Sequence, residues 1–208
     1  KAEQTGKFYG LMMEHIRKVL SNIKRVYPGY NEEKGYELAG FVWFQGWNDM
    51  VASGTYPNRG QPGGYDAYTD CLAHFIRDVR KDLEAPKMKF VIGVMGVGGP
   101  LEQYASQRYV PIHGAFREAM AAPSLMPEFK GNVFAVRTTK FWDMRLKELE
   151  DNQERVKQMA GFLKNNHKDH ANRDGSMTVS EQKEYLEKYR RKLISAEDEA
   201  YAKIARSN

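Results

Sequence analysis

Gly46 and Asn48 stand two residues apart, just beyond an apolar run, Leu38-Ala39-Gly40-Phe41-Val42-Trp43-Phe44. The run is apolar on both alternations, which predicts a strand buried on both faces and ending in a turn at Gln45-Gly46. A glycine there lets the backbone come close to a ligand with its N–H pointing out of the strand end. An asparagine two residues on can aim its side-chain amide at the same point. A backbone N–H and an Asn amide that converge in this way stabilise the oxyanion of a tetrahedral acyl-transfer intermediate, each donor contributing about 3 kcal/mol. Asn and Asp also close turns and cap helices, and taken alone Asn48 and Asp49 favour that purely structural role.

Acyl transfer needs a nucleophile and a base within hydrogen-bonding reach. No serine has a suitable setting: Ser21 and Ser180 fall in expected helices, Ser53 and Ser106 in loops. His15 and His74 also fall in expected helices, and His113 is expected to cap one. His167 and His170 lie in a polar loop and are expected to face solvent. Asp169 is adjacent to His170, but sequence neighbours do not face each other. No serine or histidine of this chain is therefore expected to act as the nucleophile or its base.

Two further motifs have a chemical reading. Gly93-Val94-Met95-Gly96-Val97-Gly98-Gly99 has the glycines of a phosphate cradle but lacks the Lys-Ser/Thr that follows them, which favours an active-site loop. Residues 170–181 have the frame of a calcium loop, with Asn172, Asp174, Gly175 and Glu181 at positions three, five, six and twelve. Position one is His170, a poor ligand for calcium, which favours a plain helix–turn–helix over a metal site. Neither cofactor nor metal is expected.

The elements that position these residues follow from periodicity. Thr5 to Tyr27 has helical spacing, with Thr5 as cap and Pro28-Gly29 as stop. A long loop over Met50–Gly64 precedes a helix over Asp66–Leu83, a strand over Lys89–Val97, a helix over His113–Ala122 and a strand over Asn132–Arg137. Alternating helix and strand predict an α/β fold, a parallel sheet with helices on both faces and ligands bound beyond the carboxyl ends of the strands. From Phe141 the pattern changes to two long helices, Asp143–Asn166 and Val179–Ala205. The expected organisation is an α/β domain over 1–140 and a helical hairpin over 141–208.

Composition bounds the function class. The net charge of +5 is dispersed, and the segment from Asp143 onward holds fourteen basic and thirteen acidic residues. The densest basic run, Arg190-Arg191-Lys192, reads as a solvated helix face, so no nucleic-acid partner is expected. A single cysteine, Cys71, excludes an internal disulfide and is expected to be a small buried hydrophobe. No apolar run approaches the ~20 residues that cross a bilayer, so no membrane partner is expected.

Gly46-Trp47-Asn48-Asp49 resembles the Gly-x-Asn-Asp block of SGNH hydrolases, in which the Gly and Asn complete the oxyanion hole. The longer run Trp43-Phe44-Gln45-Gly46 resembles the Trp-x-Gln-Gly segment of sialate O-acetylesterase-like proteins, carbohydrate esterase family 6. The likeness extends over about residues 5–140, through Arg77-Asp78-Val79-Arg80-Lys81-Asp82-Leu83 and Phe90-Val91-Ile92-Gly93. It implies a partial three-layer, SGNH or flavodoxin-like parallel sheet and hydrolysis of acetyl esters on a carbohydrate through an acyl-enzyme. Gly46 and Asn48 are then the catalytic pair, with Gln45, Trp47 and Asp49 binding substrate. It also implies a secreted or periplasmic location, and a nucleophilic Ser and catalytic His in blocks that lie beyond the two ends of this chain. Many family members read Gln-Gly-Glu-Ser-Asp at the turn; here Trp47 and Asn48 take the Glu and Ser places, and Trp47 suits stacking on a sugar face or burial. The alternative is a non-catalytic carbohydrate-binding or scaffolding domain on the same fold.

Overall fold

The computed structural model describes residues 6–104 and 107–207. Thr5, expected to cap the first helix, and Ser106 lie outside the described residues. The chain forms two compact units: Lys1–Met95 with Ser106–Arg137, and Gly96–Ala105 with Thr138–Asn208.

The first unit is built on three parallel strands in the order β1 (Gly40–Trp43), β2 (Lys89–Val94) and β3 (Val133–Arg137). Register places Phe41 beside Phe90 and Val133, and Trp43 beside Ile92 and Ala135. With side chains alternating along each strand, these residues share one face. Helix α3 (Asp66–Asp82) covers that face through Phe75, whose ring lies 5.7 Å from Phe41 and 4.6 Å from Trp43. Its buried stripe is Tyr68, Leu72, Ile76 and Val79, the helical period the sequence displays. Helix α4 (Val110–Ala121) packs on α3, β2 and β3.

Strand β1 differs from expectation. Its second face is open, with Val42 70% and Phe44 66% exposed, and Phe134 and Val136 on the same face of β3 are exposed too. An apolar sequence pattern records where burial is possible; α3 occupies only the Phe41–Trp43 side. Cys71 is also exposed rather than buried, because it falls one position off the α3 stripe. Helix α1 spans Lys7–Leu20 and stops short of Tyr27, since Asn22 leaves the helical region and a single 3-10 turn follows. α4 starts three residues earlier than the period suggested, with Pro111 in its first turn, where a missing N–H costs nothing. His113 is thus inside the helix and not its cap.

Arg80, buried near the end of α3, ties this layer to the strand starts. Its guanidinium donates to the Met88 carbonyl at 3.0 and 2.9 Å and to the Asn132 side-chain oxygen at 2.8 Å. These contacts lie at the N-terminal ends of β2 and β3.

The second unit holds α5 (Met144–Lys164), α6 (Val179–Leu193) and α7 (Ala196–Ala205). Two long helices were expected, and the second is broken. Ser195 is the N-cap of α7: its hydroxyl accepts from Asp198 N–H, and Asp198 accepts from Ser195 N–H. The Ser-x-x-Asp signature at 195–198 overrides the helical periodicity across it. Leu149, Ile194 and Ala202 form the small core of this unit. No helix among the described residues is long and apolar enough to cross a membrane.

Candidate active site

Beyond β1 the chain turns at Gln45 and Gly46 and enters α2 (Trp47–Val51), a short helix where an irregular loop was expected. Gly46 is its N-cap, and Trp47, Asn48 and Asp49 form its first turn. Two tyrosines hold it in place: Tyr65 donates to the Met50 carbonyl at 2.7 Å, and Tyr56 donates to Asp49 Oδ1 at 3.3 Å. Burial raises the pKa of both hydroxyls, so they remain donors at ordinary pH.

Gly46 is required by packing. A Cβ there would lie 2.8 Å from two atoms of the Phe116 ring and 3.3 Å from the Tyr68 hydroxyl. Phe116 is fully buried, between Tyr65 and Tyr68 at ring distances of 4.8 and 4.7 Å. The close approach that a ligand would exploit on one side of Gly46 is matched by an aromatic floor on the other.

Phe44, Gln45, Gly46, Trp47, Asn48, Gly93, Met95 and Met120 enclose a pocket of about 330 Å³. It lies beyond the carboxyl ends of β1 and β2, where an open parallel sheet binds ligands. Four of the five residues singled out from sequence line it: Gln45, Gly46, Trp47 and Asn48. The fifth, Asp49, expected to bind substrate, does not; its carboxylate instead takes the Tyr56 hydrogen bond. Among the described residues, neither the Gly46 N–H nor the amide of the exposed Asn48 has a protein partner. Trp47 is half-exposed, and the Phe44 ring lies over Gly93, where an added Cβ would overlap it.

Gly93 and Met95 come from the glycine-rich run expected to form an active-site loop, whereas Tyr68, Phe116 and Met120 were missed. Tyr68 was accessible, since it extends the Leu72–Ile76 stripe of α3 back by one turn. Phe116 and Met120 are apolar positions of α4 whose location under the β1 turn depends on how α3 and α4 cross, which no local pattern encodes.

The loop at 170–181 is self-satisfied. The Asn172 amide donates to the Leu163 carbonyl at 2.8 Å, and its Oδ1 accepts from Met177 N–H at 2.8 Å. Asp174 accepts from the Ser176 hydroxyl, and Glu181 completes a capping box with Thr178. Among the described residues no group of three or more His, Cys, Asp or Glu is placed to hold a metal.

A family model described as carbohydrate esterase, sialic acid-specific acetylesterase, matches residues 2–160. Searches of curated proteins and of solved structures found no match. The match takes in the whole β1–α2–α3–β2–α4–β3 stretch that frames the pocket and more than half of the chain. This chain therefore belongs to the sialic acid-specific acetylesterase family of carbohydrate esterases.

Proposed function

We propose that the chain carries the anion-stabilising half of an esterase that removes acetyl groups from an O-acetylated carbohydrate. The observation that carries the reading is the pairing of two unpartnered donors, Gly46 N–H and the Asn48 amide, on one pocket. Attack on an acetyl carbonyl moves charge onto its oxygen, and donors already aimed at that point stabilise the charge without reorganising. The tetrahedral adduct then expels the sugar hydroxyl, leaving an acetyl-enzyme that water cleaves. Gln45 and Trp47, on either side of Gly46, are the substrate-facing neighbours. The half-exposed Trp47 indole offers a flat apolar face to a pyranose ring.

Among the described residues the pocket lining contains no Ser, Cys or His. No nucleophile or base is accordingly assigned among these lining residues, and turnover is expected to need a Ser and a His beyond them. The same observation favours the second reading, a carbohydrate-binding domain that uses Trp47 and Phe44 without chemistry.

The two readings separate on Asn48→Ala. With the nucleophile and base supplied, the variant is expected to lose about 10²-fold in kcat on an acetylated sugar. Wild-type turnover would remove Asn48 from the mechanism. Equal binding of acetylated and de-acetylated sugar would favour the non-catalytic reading.

A further inference from the structure

We propose that Tyr68 is a positioning residue for the anion site, holding the Gln45–Gly46 peptide so that the Gly46 N–H faces the pocket. This rests on the reading of Gly46 and Asn48 as oxyanion donors. Tyr68 stands in the first turn of α3 and is 5% exposed. Its hydroxyl donates to the Gln45 carbonyl at 3.1 Å and accepts from Trp43 Nε1–H at 3.3 Å. Those roles are fixed by chemistry. The indole nitrogen can only donate and the carbonyl can only accept, so the single hydroxyl proton goes to Gln45.

A trans peptide is planar, and its C=O and N–H point in opposite directions. Anchoring the Gln45 carbonyl on Tyr68 therefore directs the Gly46 N–H to the other side of the chain. Without that anchor the peptide is free to rotate, because Gly46 has no side chain to oppose the motion. Among the described residues this is the one hydrogen bond the Gln45 carbonyl accepts. The Trp43–Tyr68–Gln45 chain also polarises along its length, which strengthens the terminal bond. Burial pushes the Tyr68 hydroxyl up to about 12, so it keeps its proton throughout the neutral and mildly alkaline range.

Tyr68→Phe removes the hydroxyl and leaves the ring packed on Phe116. The isotope-labelled full chain is titrated with acetate, whose carboxylate mimics the charge of the oxyanion, and the Gly46 N–H, Asn48 amide and Gln45 carbonyl resonances are followed. In Tyr68→Phe the Gln45 carbonyl signal is expected to move upfield, as a carbonyl does on losing a donor, and acetate affinity to fall about tenfold. A merely structural tyrosine would move the Gln45 signal but leave the acetate affinity unchanged. Asn48→Ala is the control for the parent reading and is expected to abolish the response at Gly46. An unchanged response in Asn48→Ala would sink that reading. Loss in Asn48→Ala with wild-type values in Tyr68→Phe would sink the Tyr68 assignment alone. Should Tyr68→Phe not fold, Trp43→Phe takes its place. An acetate affinity about threefold weaker is expected from loss of the cooperative donor, and wild-type affinity would overturn the proposal.

Discussion

Gly46→Ala tests whether the β1 turn is shaped by the aromatic floor beneath it. The added Cβ would sit 2.8 Å from Phe116 Cε1 and Cζ, whereas carbon atoms in contact prefer about 3.5–4.0 Å. Two contacts are therefore short by roughly 0.7–1.2 Å. Phe116 cannot swing aside, because it is fully buried and wedged between Tyr65 and Tyr68. The turn must move instead, and it carries the Gly46 N–H with it. Overpacking of this kind costs about 1–3 kcal/mol, which for a chain of this length lowers Tm by roughly 2–12 °C. Displacing the N–H should also weaken anion binding about tenfold or more. Phe116→Leu, which shortens the floor, should restore part of both losses in the double variant, a favourable coupling of about 1 kcal/mol in a mutant cycle. The assays are thermal unfolding and acetate titration of the four proteins in the cycle. Wild-type stability and affinity in Gly46→Ala, or strict additivity with Phe116→Leu, would refute the reasoning.

Further expectations concern the frame. Arg80→Met leaves the Met88 and Asn132 carbonyls without their buried donor, and denaturant unfolding should show a loss of about 2–4 kcal/mol; a loss below 0.5 kcal/mol would show that water replaces the guanidinium. Millimolar calcium should leave Tm unchanged, because Asn172 and Glu181 are already engaged within the loop and its cap; a calcium-dependent rise would reinstate the metal reading. Thr178→Ala should cost about 1 kcal/mol through loss of the capping box. Asp143 titrates below its ordinary range, first because Leu146 N–H binds its carboxylate and then because the Tyr201 hydroxyl does; Asp198 and Glu181 shift the same way through their capping bonds. A carboxylate whose folded pKa is depressed contributes stability above its unfolded pKa and loses it as pH falls through the folded one. Helicity followed by far-UV circular dichroism should therefore hold from pH 7 to about 5 and decline below about 4, and Asp143→Asn should flatten that decline. Loss of helicity between pH 7 and 5 would contradict the assignment.

Strong periodicity made α3, β2, β3 and the alternation of helix and strand readable in advance. The β1 turn was singled out because Gly46-Trp47-Asn48-Asp49 resembles the Gly-x-Asn-Asp block; its residue types alone suit a structural turn. What escaped were features set by competition between local signals. The Ser195 capping box outweighs the helical stripe on either side of it. Val42 and Phe44 read as core because apolarity does not say which face acquires a cover. The aromatic floor joins Tyr68 of α3 to Phe116 of α4, 48 residues on in sequence, and only the packing of those helices brings them under Gly46.

The central claim is that Gly46 and Asn48 together recognise the oxygen of an acetyl ester. The most direct measurement is a chemical-shift titration of the labelled chain with an O-acetylated sialic acid and with its de-acetylated parent. The account predicts that the Gly46 N–H and the Asn48 amide both respond to the acetylated sugar, that the parent affects them far less, and that Asn48→Ala removes the difference. No response at either donor, or equal responses to the two sugars, would contradict it.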